Sequence, residues 1–413
     1  MSSLLIKNIS QLATFTGSQT PRIGDSMRDA GYINDAAVYI EDGFISFAGE
    51  KSKAPKKADK TIDAKGCCVT AGLVDAHTHP VFAGTREDEF VMRIQGKTYM
   101  EIAKEGGGIM SSVRQLRAIS KDELKRITRK HLDDFISYGT TTIEAKSGYG
   151  LSLDDEIKSL EVIKELSDEH PLEMIPTFLG AHSIPEEFKN KRDEFLRIVI
   201  DKMLPEVAAK GLAKYCDIFC EKGVFDVYES RLVLGKAKAL GLGVRIHSDE
   251  FEAIGGTELA GELHAASADH LTAITDSGIE AMKKGGVTPI LLPATTFFLG
   301  HSHYAPARKM IDAGLPVAIA TDFNPGSSMT NSLQIAMTIA CINMKLFPEE
   351  ALCACTVNAA HSLGLLDEIG SVEPGKRADL VIWDTPNFRQ IVYHYGINHA
   401  KTVIKSGNLV FKA

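Results

Sequence analysis

Three histidines and one aspartate of this chain have the types and spacing of metal ligands. His77 and His79 stand two residues apart, and on an extended segment such a pair points to the same side. His247 and Asp322, from distant parts of the chain, would complete a set of three nitrogens and one oxygen. Such a set leaves room for a water, which is typical of catalytic rather than closed structural sites. Because a bound divalent ion lowers the pKa of that water to about 7, the set predicts a hydrolytic metal centre.

Further polar residues are suited to proton transfer and to substrate binding. Glu250 follows His247 by three residues, where a carboxylate can take a proton from the water and deliver it to a leaving nitrogen. Arg86 and Tyr149 would suit a substrate carboxylate, because a guanidinium binds such a group bidentately. Residues 324–327, Asn-Pro-Gly-Ser, form a turn whose glycine allows the backbone to approach a ligand closely.

Two other patterns resemble metal sites without being expected to act as such. The second H-x-H pair, His301 and His303, lies in a predicted loop, where we expect a surface or supporting role. Cys353 and Cys355 fall in an alanine-rich helical run. The seven cysteines contain no two paired C-x-x-C clusters, so a thiolate zinc site is not expected.

Composition narrows the class of protein. The 413 residues are 44% hydrophobic and 24% charged, as in an ordinary globular protein, and the net charge is -8. Basic and acidic residues are mixed along the chain, so nucleic acids and anionic membranes are not expected as partners. No run approaches the ~18 apolar residues of a membrane span, and the first residues lack the pattern of a cleaved signal. We therefore expect a cytosolic protein.

The elements that must position these residues alternate between strands and helices. Helix-like segments separate eight apolar runs; one spans 121–137, and another begins after the capping-box residues 152–155 and runs to about 167. This rhythm over roughly 300 residues is that of a (β/α)₈ barrel. The rival doubly wound sheet is disfavoured because no G-x-G-x-x-G follows the first strand. The predicted strands are 69–76, 140–146, 173–179, 215–221, 243–247, 266–270, 288–293 and 316–322.

Both chain ends are rich in β-prone residues. Two such runs flank Asp42-Gly43, which is a hairpin signal, and similar runs occupy 378–384 and 401–410. Since chain termini often lie close together, residues 1–65 and 371–413 are predicted to form one small β-sandwich domain around a barrel of residues 66–370.

In a barrel of this kind the active site lies at the carboxyl ends of the strands. The candidate residues fall there: His77 and His79 follow strand one, His182 strand three, His247 strand five, His270 strand six and Asp322 strand eight. Thirteen histidines placed at random would rarely produce this distribution.

The sequence resembles the amidohydrolase superfamily over essentially its whole length. The segments that carry the resemblance are 72–79 (GLVDAHTH), 144–151 (EAKSGYGL), 180–182 (GAH), 247–250 (HSDE), 321–327 (TDFNPGS) and 370–380. Within the superfamily, the sequence is similar to hydrolases of histidine degradation that add water to 4-imidazolone-5-propanoate, giving N-formimidoyl-L-glutamate.

The resemblance implies a role for each matching position. One zinc or iron ion would be bound by His77, His79, His247 and Asp322. His270 would polarise the ring carbonyl, and Glu250 or Asp322 would carry the proton to the departing nitrogen. The substrate or the opened product would contact Arg86, Tyr149, His182, Glu250, Asn324, Gly326 and Ser327. The resemblance also implies a homodimer.

Two other functions stay open at this stage. A mononuclear nucleobase deaminase of the same superfamily would share the metal ligands, although a nucleobase has no propionate for Arg86 to bind. A non-catalytic scaffold would have no reason to keep all four ligand positions. A dinuclear centre is not expected, since predicted strand four ends without a bridging lysine and Lys222 follows in the loop.

Overall fold

The computed structural model describes residues 2–17, 19–97, 101–102 and 105–413. The described residues form sixteen strands: β1 Ser3–Leu12, β2 Ile33–Glu41, β3 Phe44–Glu50, β4 Lys60–Asp63, β5 Val69–Ala71, β6 Leu73–Asp75, β7 Thr140–Lys146, β8 Glu173–Ala181, β9 Tyr215–Cys220, β10 Gly243–Ser248, β11 Ser267–His270, β12 Thr288–Leu291, β13 Ala318–Ile319, β14 Leu380–Trp383, β15 Ala400–Lys405 and β16 Asn408–Lys412. These strands make two separate sheets of eight.

The helices lie mainly between the strands of the middle segment. They span Glu87–Ile94, Ile109–Ala118, Lys121–Ser137, Leu153–Glu169, Arg192–Ile198, Leu204–Ala209, Val227–Ala239, Gly256–Leu263, Asp276–Gly285, Pro293–Phe298, Ala307–Asp312, Leu333–Asn343, Pro348–Ala354, Val357–Ser362 and Arg389–Tyr393. Ser120 and Ser152 cap two of them by accepting hydrogen bonds from the N–H groups of Glu123 and Asp155. Among the described residues, no helix is both long and apolar enough to cross a membrane.

The first sheet is the predicted (β/α)₈ barrel. Strands β6 to β13 are neighbours in chain order, and each pair is parallel. The barrel continues from β13 back to β6 through two backbone hydrogen bonds: the N–H of Asp322 donates to the carbonyl of His77, and the N–H of His79 donates to that of Phe323. All residues of β7 are buried, as expected for a strand of a parallel sheet covered by helices.

The second sheet joins the two chain ends, as the sequence predicts. Its order is β16-β15-β14-β5-β1-β2-β3, with β4 paired to β1. The two ends meet where β14 pairs antiparallel with β5. The predicted hairpin connects β2 and β3, and its turn residues Asp42 and Gly43 both have positive φ. One buried apolar cluster, which includes Ile6, Val38 and Leu380, packs within this sheet.

Two of the predicted strands differ from the structure by more than one or two residues at an end. The predicted strand 69–76 is two strands, of which β5 belongs to the terminal sheet and β6 to the barrel. One continuous apolar run cannot show that its two halves find different partners. The predicted strand 316–322 shortens to β13, and the backbone reaches a positive φ of 53° at Asp322.

Candidate metal centre and active site

Three imidazole rings converge at the carboxyl ends of the barrel strands. The Nε2 atom of His79 lies 3.3 Å from Nε2 of His77 and 3.4 Å from Nε2 of His247. His77 and His79 follow β6, whereas His247 lies within β10. All three are buried, and their ligating nitrogens lie close enough together to hold a single ion.

Asp322 adds a carboxylate oxygen to the same point. Its Oδ1 atom lies 3.5 Å from Nε2 of His77 and 3.3 Å from Nε2 of His79. Its other oxygen, Oδ2, accepts a hydrogen bond from the Thr295 hydroxyl at 2.7 Å. The left-handed backbone at Asp322, which aspartate tolerates better than most residues, accompanies this placement.

Two buried aspartates lie against the outer nitrogens of two of these rings. Asp269 Oδ2 lies 2.6 Å from Nδ1 of His77, and Asp217 Oδ2 lies 2.9 Å from Nδ1 of His247. Carboxylates at this position orient a metal-binding imidazole and keep the proton on Nδ1, so that Nε2 is free to ligate. This arrangement favours a metal centre over a cluster of unliganded histidines.

The two anchoring aspartates belong to a layer of buried charges inside the barrel. Lys146 on β7 lies 2.7 Å from Asp217, 2.7 Å from Glu144 and 3.7 Å from Asp269, and all these side chains are fully buried. Arg245 adds a second buried cation 3.7 Å from Glu144. Buried charges are tolerated when they are paired in this way, so the layer holds both aspartates in place.

The donor set fits a divalent ion such as zinc or iron. It offers three imidazole nitrogens and one carboxylate oxygen, which suit both metals. Burial lowers the pKa of His79 to about 4, so this ring is neutral and its lone pair is available at neutral pH.

Glu250 and His270 lie beside the ligand cluster. The ring of His270 is 5.6 Å from that of His77 and 5.3 Å from that of His247, and its Nδ1 lies 3.7 Å from Oε1 of Glu250. Burial, together with the nearby charges of Asp322 and Glu221, raises the pKa of Glu250 well above its usual value. Burial also holds the pKa of His270 well below its usual value, so the ring is neutral.

His182 and Tyr149 line the same site. The His182 ring stacks on His79 with centroids 5.2 Å apart and an interplanar angle of 16°. Tyr149 lies 6.0 Å from His79 and 5.4 Å from His182 between ring centroids. The Nδ1 atom of His182 lies 3.0 Å from the carbonyl oxygen of Gly148, which leaves Nε2 of His182 available for a ligand.

Arg86 is held in a fixed orientation by a neighbouring glutamate. Its Nε and Nη2 atoms donate to the two carboxylate oxygens of Glu89 at 2.9 and 2.7 Å. The remaining nitrogen, Nη1, lies against Gly326, where an added Cβ would come within 2.2 Å of it. Among the described contacts, Glu89 therefore binds the Nε and Nη2 side of the guanidinium and not Nη1.

Asn324 closes the turn that contains Gly326 and Ser327. Its Oδ1 atom accepts the backbone N–H groups of Gly326 and Ser327 at 2.8 Å each, and its Nδ2 donates to the carbonyl of Asp322 at 2.7 Å. The side chain of Asn324 is thus used within the turn, and the Ser327 hydroxyl also bonds to it.

Sequence reasoning did not identify the anchoring residues Asp217, Asp269, Lys146 and Glu144. The available signal was a charged residue inside an otherwise apolar strand, since ionic groups are rarely buried without a partner. The second H-x-H pair is where the sequence predicts it, because His301 and His303 are both exposed.

Comparisons with known proteins show the family of the chain. Residues 68–410 match the amidohydrolase family. The chain is 50% identical to imidazolonepropionase of Geobacillus kaustophilus, covering 99% of this chain and 98% of the relative. It is 49% identical to imidazolonepropionase of Bacillus velezensis, covering 98% and 96%.

Solved structures share the fold at low identity. The 5-methylcytosine deaminase from Klebsiella pneumoniae liganded with phosphonocytosine superposes with a TM-score of 0.76 at 16% identity, covering 99% of this chain and 98% of that one. A zinc-bound adenosine deaminase from Xanthomonas campestris has a TM-score of 0.74 at 18% identity, covering 99% and 92%. At such identities these likenesses concern the fold alone.

A parallel barrel with histidine and aspartate donors gathered at its carboxyl end defines a metal-dependent hydrolase. The chain belongs to the amidohydrolase family, and within that family it groups with the imidazolonepropionases.

Proposed function

We propose that the protein adds water to 4-imidazolone-5-propanoate and opens the ring to N-formimidoyl-L-glutamate. The observation that carries this proposal is the 50% identity to an imidazolonepropionase over almost the full length of both chains. The site geometry supports it, because an ion site, a protonatable carboxylate and a guanidinium lie at one end of the barrel.

The proposed ion site consists of His77, His79, His247 and Asp322, with one zinc or iron ion per chain. Such an ion, when bound, supplies a Lewis acid and makes a water nucleophilic at neutral pH. The chain's part is to keep three Nε2 atoms and one carboxylate oxygen aimed at one point, which Asp217 and Asp269 assist from the outer ring nitrogens.

Glu250 is the proposed main proton carrier. Water adds to the ring carbonyl carbon, the adjacent ring C–N bond breaks, and the departing nitrogen takes a proton. Glu250 suits this step because burial raises its pKa well above the usual value, which favours the protonated form that a proton carrier passes through. The alternative carrier, Asp322, has Oδ1 directed at two imidazoles and Oδ2 bonded to Thr295, which leaves it less free to exchange a proton.

His270 and Arg86 are proposed to hold the two ends of the substrate. A neutral His270 polarises the ring carbonyl by donating an N–H rather than by its charge. Arg86 binds the propionate through Nη1, while Tyr149, His182 and the turn 324–327 complete the pocket around the ring.

We infer a homodimer in the cytosol that acts on a small molecule and binds neither nucleic acid nor membranes. Light scattering of the purified protein measures its assembly state, and a monomeric mass would contradict the dimer.

Product identification tests the proposed activity against deamination. The metal-loaded protein is incubated with imidazolone propionate, and the product is followed by NMR. N-formimidoyl-L-glutamate is the expected product. Ammonia release from free nucleobases, without turnover of imidazolone propionate, would instead assign the protein to the deaminases that share its fold.

A further inference from the structure

The proposed proton carrier Glu250 lies on irregular backbone, immediately beyond β10 and before the helix Gly256–Leu263. A side chain on such a segment would sample many positions unless the neighbouring backbone is held. Proton transfer requires the carboxylate within hydrogen-bond reach of the reacting atoms, so something must fix this segment.

On one side of Glu250 the segment is fixed by Asp249. Its backbone has a φ of 54°, and its buried carboxylate accepts hydrogen bonds from the hydroxyls of Ser248 at 2.9 Å and Thr257 at 2.8 Å. Its carbonyl accepts the N–H of Ala273 at 2.7 Å.

On the other side the segment is fixed from a different strand. Glu221, which follows β9 and is only 2% exposed, accepts the backbone N–H of Phe251 on Oε2 at 3.0 Å and that of Glu252 on Oε1 at 3.1 Å. It also accepts the N–H of Lys222 at 2.9 Å. Hydrogen bonds from N–H groups to an ionised carboxylate are among the stronger ones in proteins.

We propose that Glu221 is a positioning residue for the reaction: its carboxylate holds the backbone of residues 251 and 252, and thereby places the Glu250 carboxylate at the site. This inference rests on the proposed role of Glu250 as proton carrier. The charge of Glu221 also contributes to the raised pKa of Glu250.

The test measures kcat, KM and bound metal for Glu221→Ala and Glu221→Gln. Glu221→Ala is expected to lower kcat by about 10²-fold with little change in KM, since a misplaced catalytic group costs about that much. Glu221→Gln is expected to lose less, because its carbonyl oxygen still accepts one N–H. The matched control is Glu194→Gln, whose exposed side chain lies 3.7 Å from Lys191 and which should keep the wild-type kcat.

The same Glu221 substitutions are also introduced into the Glu250→Gln variant. This double-mutant comparison distinguishes a positioning role of Glu221 from a general loss of protein stability. If Glu221 acts through Glu250, Glu221→Ala causes no further loss of kcat in the Glu250→Gln background. An equal loss in both backgrounds, loss of the bound metal, or wild-type kcat in Glu221→Gln would overturn the proposal. If Glu221→Ala does not fold, Glu221→Gln alone decides in both backgrounds. Wild-type turnover in the single variant Glu250→Gln would show that Glu250 is not the proton carrier. This outcome is read from the single variant, so it is distinguishable from a failure of the Glu221 proposal.

Discussion

At the scale of single residues, the proposed site depends on Arg86 being held with one nitrogen free for the substrate. Glu89 occupies Nε and Nη2, and Gly326 leaves space for Nη1. Binding and chemistry are therefore assigned to different side chains, which makes their contributions separable by kinetics.

Replacement of the guanidinium is expected to affect substrate binding. Arg86→Met should raise KM by the equivalent of about 2–5 kcal/mol, because a buried carboxylate of the substrate loses its partner. Steady-state kinetics with metal-loaded protein measures this. Arg126→Met, at an exposed arginine paired with Glu123, serves as the control. Unchanged KM in Arg86→Met would refute the proposed propionate site.

A substitution at Gly326 tests the proposed propionate site a second time while keeping the positive charge of Arg86. A methyl group there would lie 2.2 Å from Arg86 Nη1, so Gly326→Ala must displace the guanidinium, and KM should rise while the ion stays bound. The backbone at Gly326 is not in the left-handed region, so alanine itself is not strained there. Gly235→Ala, where an added methyl meets nothing within 4 Å, is the matched control. A Gly326→Ala protein with the wild-type KM would show that Arg86 does not need this space.

The sequence predicts which residues form the metal site, but not which residues hold those ligands in place. The H-x-H pair and the strand-end positions of His247 and Asp322 follow from local pattern plus the geometry of a barrel. Asp217 and Asp269 could not be paired with particular imidazoles, because each contact joins strands whose registers are set only when the barrel forms. The pairing of Arg86 with Glu89 spans three residues of chain, yet nothing in the sequence shows which side of the guanidinium it uses.

At the scale of elements, the ion site is built from strands that also carry its supporting charges. β9 supplies Asp217, β10 supplies His247, and β11 supplies both Asp269 and His270. The division of predicted strand 69–76 between two sheets was not accessible from its apolar pattern, since both halves are equally buried. Only the pairing partners, β14 for one half and β7 for the other, distinguish them.

Removing the charge of Asp269 on β11 should lower the affinity of the site for its metal ion. In Asp269→Asn the charged partner of His77 Nδ1 becomes neutral, and metal affinity is expected to fall about 10–100-fold. Competition with a chromophoric chelator measures the affinity directly. Asp379→Asn is the matched control, because Asp379 is a buried aspartate that pairs with Lys405 in the other sheet. Equal losses of affinity in both variants would mean that Asp269 contributes only to folding.

At the scale of the whole molecule, the barrel is proposed to hold one ion rather than two. No lysine lies on β9, where a bridging carboxylated lysine would be required, and Lys222 beyond it is exposed and paired with Glu252. Elemental analysis with and without added bicarbonate should give one ion per chain. Two tightly bound ions, together with activity lost in both Lys222→Ala and bicarbonate-free protein, would contradict this.

The central claim is that the cluster of His77, His79, His247 and Asp322 makes this protein a metal-dependent enzyme that opens imidazolone propionate. The most direct measurement follows the ultraviolet absorbance of imidazolone propionate with the protein as purified, after chelation, and after zinc or iron is restored. The account predicts loss of absorbance that stops on chelation and returns with the ion. Turnover that continues in protein shown by elemental analysis to be free of metal, or no turnover in the fully loaded protein, would contradict it.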